Sequence, residues 1–141
     1  MDKFYGKWII NKKKSESMNE FYKFVGVPYL VRKLIGNNNT LVIKPAGKGL
    51  SITDIPKEGQ EMKGEHTFDE RYINSINGRG KSTKSKSMFK NGVATIMTLS
   101  DNDIMIIRQL NVHDNSLRDR LYFKRFTDNK FKGVTRFYNK E

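Results

Sequence analysis

Apolar and polar residues alternate with a period of two over most of this chain, and the interruption is short. From Phe4 to Asn11, Phe4, Gly6, Trp8 and Ile10 share one face while Lys7 and Asn11 share the other, which predicts a strand. The period then changes. Met18, Phe21, Tyr22 and Val25 recur at the i, i+3, i+4, i+7 spacing of one helix face. Ser17, with Glu20 three residues on, has the form of a capping box, whose side-chain oxygens take up free amides of the first helical turn. Gly26 provides the stop, because it reaches positive φ without a Cβ clash. Pro28 suits the opening of a second helix, where its missing N–H costs nothing. Val27, Leu30, Val31, Leu34 and Ile35 form that helix's apolar stripe, and Gly36 with a run of Asn closes it.

After Asn39 the period returns to two. Strands are predicted over Thr40 to Lys44, Gly49 to Thr53, Gly59 to Thr67, Arg71 to Ile76, Ser82 to Phe89, Val93 to Leu99, Ile104 to Asn111, Leu117 to Phe126 and Phe131 to Asn139. Turn residues separate them, and Asn91-Gly92 is the sharpest, since both accept the positive φ of a type I′ hairpin. Strands this close together leave no room for crossover helices, so neighbours pair antiparallel. A meander of about ten strands avoids exposed edges by closing on itself. The expectation is an all-β chain: one domain over residues 1–141, a ten-stranded antiparallel up-and-down β-barrel of clam shape, with a helix-turn-helix lid between the first two strands. Trp8 is expected in its core.

Composition narrows the function. With no Cys, the chain has no disulfide framework, thiol nucleophile or Cys-ligated zinc. Its two histidines, His66 and His113, have no ligand spacing, and no cofactor or metal is expected. Nothing in the chain reaches ~18 consecutive apolar residues, and the first residues lack a signal-peptide core. A cytoplasmic protein is expected, with nuclear entry left open. Lys and Arg number 27 against 15 Asp and Glu, a net charge of +12, which attracts polyanions or an anionic membrane and also keeps a surface soluble.

Candidate chemistry lies near the C-terminus. Alternation puts Arg108 on the face of Ile104, Ile106 and Leu110, and puts Arg136 and Tyr138 together on another face. An arginine on an apolar face is costly unless paired. Two guanidinium groups and a phenol facing a greasy cavity would suit an acid head on an apolar tail. The alternative is that these arginines face solvent or pair with Asp and Glu of the barrel.

Phe4-Tyr5-Gly6-Lys7-Trp8, the block Met18 to Val27, Arg32-Lys33 and the terminal Val134-Thr135-Arg136-Phe137-Tyr138 resemble the intracellular lipid-binding proteins, the fatty-acid-binding and cellular retinoid-binding family. The resemblance spans nearly the whole chain. It implies the lidded barrel, an internal cavity, and non-enzymatic carriage of long-chain fatty acids or related acidic lipids, a retinoid or bile-acid-type ligand being the alternative. Arg108, Arg136 and Tyr138 match the carboxylate contacts of the family, and Phe21 and Arg79 are cavity or lid candidates. Lys23, Arg32 and Lys33 are candidates for transient contact with an anionic membrane. A monomer is implied. The portal segment departs from the family pattern and reads Ile55 to Gln60, and Asn111 to Asp119 reads as expanded.

A rival of another class is a basic nucleic-acid-binding barrel, in which Tyr122, Phe123 and Phe126 among the charges of Arg118 to Phe126 serve as stacking platforms. The lipid reading expects no nucleic acid. Enzyme motifs are lacking: Gly80-Lys81-Ser82 has Ser75 where a phosphate loop needs Gly, and a strand follows it where a helix is required.

Overall fold

Each of the ten period-two segments is a strand in the computed structural model of the chain, which describes residues 1–24, 26, 39–56, 61–76, 82–100 and 104–141. They are β1 (Gly6–Ile10), β2 (Thr40–Ala46), β3 (Gly49–Ile55), β4 (Met62–Thr67), β5 (Ile73–Ile76), β6 (Ser82–Lys90), β7 (Val93–Ser100), β8 (Ile104–His113), β9 (Ser116–Arg125) and β10 (Lys130–Lys140). Among the described residues, one helix, α1 (Asn19–Phe24), lies between β1 and β2. The predicted second helix, at Pro28 to Gly36, lies outside the described residues, as do Arg32, Lys33, Arg79 and residues 57–60 of the portal segment.

All pairings are antiparallel, in the order β4-β3-β2-β1-β10-β9-β8-β7-β6-β5. The last strand returns to the first, with Ile10 opposite Tyr138, so β4 and β5 are the edges among the described strands. Side chains and backbone just past β4 bridge that opening. The Phe68 ring lies 5.7 Å from the Phe89 ring of β6, and the Glu70 amide donates to the Ser87 carbonyl at 3.3 Å.

Several boundaries differ from expectation for local reasons. β1 starts at Gly6 because Asp2–Phe4 forms a 3-10 turn, in which the Phe4 amide donates to the Met1 carbonyl. β3 runs past Thr53 to Ile55, which brings Asp54 into the ladder opposite Leu41. The stretch from Asn111 to Asp119 is no enlarged loop: it is strand up to a tight turn, with His113 paired to Ser116 and Asp114 at φ 55°. Asn91 (φ 53°) and Gly92 (φ 77°) form the expected type I′ turn.

The helix is set over the barrel by the strap before it. The Asn11 amide donates to the Phe137 carbonyl (2.7 Å) and the Glu16 amide to the Thr135 carbonyl (2.9 Å), so the strap follows β10. The Ser17 hydroxyl accepts the Asn19 amide at 3.1 Å, and Glu20 accepts from Lys132 of β10 at 3.0 Å. Gly26, at φ 86°, stops the helix as expected.

Inward positions follow the pleat. On β9, Leu117, Asp119, Leu121 and Phe123 are buried while Arg118 is exposed. One apolar cluster surrounds the fully buried Trp8, whose indole N–H donates to the Phe4 carbonyl at 2.8 Å. A second joins Met18 and Tyr22 of the helix region to Leu121, Phe123 and Val134.

Candidate functional site

A cavity of about 280 Å³ touches both clusters. Met18, Phe21, Ile96, Ile106 and Leu121 give it an apolar wall. Its polar end holds Asn39, Asp54, Arg108, Asp119, Arg136 and Tyr138. Arg136 and Tyr138 are fully buried, consistent with the face that alternation assigns them.

Arg108 faces inward and is already paired. Its Nε and Nη2 donate to Asp119 at 3.0 and 2.8 Å, and its Nη1 and Nη2 donate to Asp54 at 3.0 and 3.2 Å. The two carboxylates come from different directions. Asp119 is on the neighbouring strand, diagonal to Arg108 and directly opposite Arg136 in the β9–β10 register. Asp54 reaches from β3, outside the β8–β9–β10 neighbourhood, so that ion pair crosses the lumen. Burial works against the Arg108 charge, but Asp119 and Asp54 outweigh it and hold its pKa well above the ordinary value.

Burial also shifts two tyrosines and a histidine of this cavity. Burial, reinforced by the Asp119 charge, pushes the Tyr138 phenol far above its usual range. Its hydroxyl has no hydrogen-bond partner in the structure, and neither does Asn39 Oδ1. The Asn39 side chain also bonds Tyr22, whose phenol is raised by burial. His66 lines the cavity from β4, and burial, helped by the Arg108 charge, lowers its pKa to about 4. It is neutral at pH 7.

The barrel, the strap-held helix and the lined cavity form a familiar set. Echinococcus granulosus fatty-acid-binding protein 1 superimposes with a TM-score of 0.75 at 18% identity, over 99% of this chain and 98% of that one. The chain has the fold of the fatty-acid-binding proteins. A Schistosoma mansoni fatty acid binding protein in complex with arachidonic acid matches at TM-score 0.75 and 15% identity, over 100% and 98% of the two chains. Human cRBP IV matches at 0.76 and 12%, over 98% of each. No protein-family model matches the chain, and no curated protein sequence does.

Within this fatty-acid-binding-protein fold, the structure brings Arg108, Arg136, Tyr138 and Phe21 to one cavity. Phe21 is half-buried, its ring 5.1 Å from that of Phe123. Lys23 is exposed on α1. The aromatic-basic stretch of β9 is divided by the pleat. Phe123 is wholly inside, so it is no stacking platform, while Tyr122 stacks on Phe131 at 6.2 Å and carries the Arg120 guanidinium at 5.4 Å. Sequence reasoning missed Asp54, Asp119, Asn39, Tyr22 and His66. For Asp119 a signal existed: a carboxylate alternating with Leu117, Leu121 and Phe123 is as anomalous as Arg108 among isoleucines. Among the described residues there is no cluster of metal-ligating side chains, and no helix is long and apolar enough to cross a membrane.

Proposed function

We propose that the protein is a non-enzymatic carrier that takes a long-chain lipid into this cavity, acting as a monomer in the cytoplasm. The tail lies against the Met18, Phe21, Ile96, Ile106 and Leu121 wall, and the head meets the Arg136 and Tyr138 end. One observation carries this reading: a single cavity joins an apolar wall to a buried polar cluster beneath a helix. Its volume, about 280 Å³, is at the lower end of ligand pockets and suits one chain. The likeness to lipid-binding proteins supports the reading through the fold. Arg108 contributes to the head site mainly through the aspartates it holds, because its fork is largely taken.

Delivery at an anionic membrane completes the proposal. Lys23 on α1 is exposed, and the β9–β10 hairpin carries Phe126 and Phe131, 46% and 61% exposed, with the Lys124 ammonium 5.5 Å from the Phe126 ring. Aromatic rings among lysines are suited to a charged lipid surface. Titration of delipidated protein with a fluorescent fatty-acid probe should give saturable binding that unlabelled long-chain lipids displace. Absence of saturable, displaceable binding across fatty acids, alcohols and amides would remove the carrier reading.

A further inference from the structure

Among the described residues, the polar end of the cavity is balanced in charge. Arg108, Asp119 and Arg136 form a row across β8, β9 and β10, and Asp54 closes onto Arg108 from the far side. Among the described residues lining the cavity, two arginines stand against two aspartates, and His66 adds no charge at pH 7. Guanidinium has five N–H donors. Four hydrogen bonds run from Arg108 to the two aspartates, which leaves one donor and no fork for a bidentate carboxylate. A carboxylate head would therefore enter a balanced, largely buried site as an extra negative charge beside Asp54 and Asp119, which is expensive away from water.

Hydrogen-bonding chemistry points the same way. Tyr138 Oη and Asn39 Oδ1 are buried in the wall of this cavity and bond to nothing in the structure. The phenol can donate or accept, but the amide oxygen can only accept. An ionised carboxylate has no proton to offer Asn39. An alcohol or a primary amide both donates and accepts.

Resting on the carrier reading above, we propose that the natural ligand is a long-chain lipid with an uncharged head that donates and accepts hydrogen bonds, a fatty alcohol or primary fatty amide, and that Asp54 and Asp119 set this preference over a carboxylate by occupying Arg108.

The test holds the tail constant. Oleate, oleyl alcohol and oleamide each displace a fluorescent probe from the full chain at pH 7.5, in the wild type and in Asp54→Asn and Asp119→Asn. The wild type should bind the alcohol or the amide at least tenfold more tightly than oleate. Each variant should move the ratio toward oleate by tenfold or more. A wild type that prefers oleate overturns the proposal, and so do variants whose ratio stays within twofold of the wild type. Ratios within one protein cancel any general loss of binding. If Asp119→Asn does not fold, Asp54→Asn, on the more open side of the pair, carries the same comparison, and the wild-type ranking decides without either. Uptake of none of the three lipids overturns the carrier reading itself.

Discussion

Arg108 holds two carboxylates at once, and its side chain is only 17% exposed. Arg108→Met would leave Asp54 and Asp119 inside the barrel without that counter-charge. Breaking a buried pair by removing one partner costs about 3–5 kcal/mol, so urea unfolding should show a loss of that size. Adding Asp54→Asn to Arg108→Met should recover part of it, because one stranded charge is gone; a loss under about 1 kcal/mol in the single variant would mean that water already solvates the cluster. His66 gives a second prediction, with a definite sign. Its pKa is about 4 in the fold against 6.5 unfolded, so between these values the unfolded chain binds a proton that the native state refuses. Stability must fall as pH drops from 7 toward 4, by about 2 kcal/mol at pH 5, and His66→Gln should flatten that slope in urea midpoints measured across the range. At this scale the sequence was half legible. Alternation identified Arg108, Arg136 and Tyr138 as sharing faces with apolar residues, but it assigns a residue to a face and does not say what stands opposite. The Asp54–Arg108 pair, 54 residues apart, exists only once the sheet has curled.

Among the elements, strands and hairpins were the most legible, because their signals are local. Period two marks a half-buried strand, and Asn91-Gly92 carries the φ its turn needs. The helix start was less so. Ser17 receives the Asn19 amide as a cap should, yet Glu20 reaches Lys132 on β10, a partner 112 residues away that no capping pattern contains. Nor does alternation reveal how closely two strand backbones approach. Gly49 pairs with Thr67, and a Cβ there would fall on the His66 carbonyl, which cannot swing aside as a side chain would. A methyl at Gly92 meets no atom within 4 Å but must adopt φ 77°. Gly92→Ala should therefore cost about 1–2 kcal/mol, the usual penalty of left-handed backbone. Gly49→Ala should cost more, about 3 kcal/mol, as β3 and β4 are forced apart. Thermal unfolding of both variants checks the order, and equal losses would mean that the β3–β4 ladder gives way easily.

For the whole molecule, the proposed carriage raises the question of how a chain with a net charge of +12 would release a lipid. Charge alone draws it to any anionic surface, at roughly 1 kcal/mol per basic residue near the membrane, and this attraction fades with salt. The β9–β10 hairpin offers such a surface an exposed aromatic contact in Phe126 and Phe131. Lys132 of β10 is joined to Glu20 of α1, and the Arg125 guanidinium donates to the Phe24 carbonyl at 2.9 Å, so the hairpin and the helix over the cavity are mechanically linked. Phe126 and Phe131, set into a bilayer surface, would bring that linked pair into the headgroups. Burying a Phe fully is worth about 1.5–3 kcal/mol, so losing partial burial of two should weaken contact about tenfold. Phe126→Ser with Phe131→Ser is therefore expected to slow transfer of a fluorescent lipid to phosphatidylserine vesicles about tenfold, while transfer to neutral vesicles changes little. Trp8 is the internal control. It is fully buried and lies outside the cavity wall, so its emission should be the same in the variant and the parent if the barrel is intact. An unchanged transfer rate with unchanged Trp8 emission would show that the lipid leaves through water, and that the charge serves solubility rather than delivery.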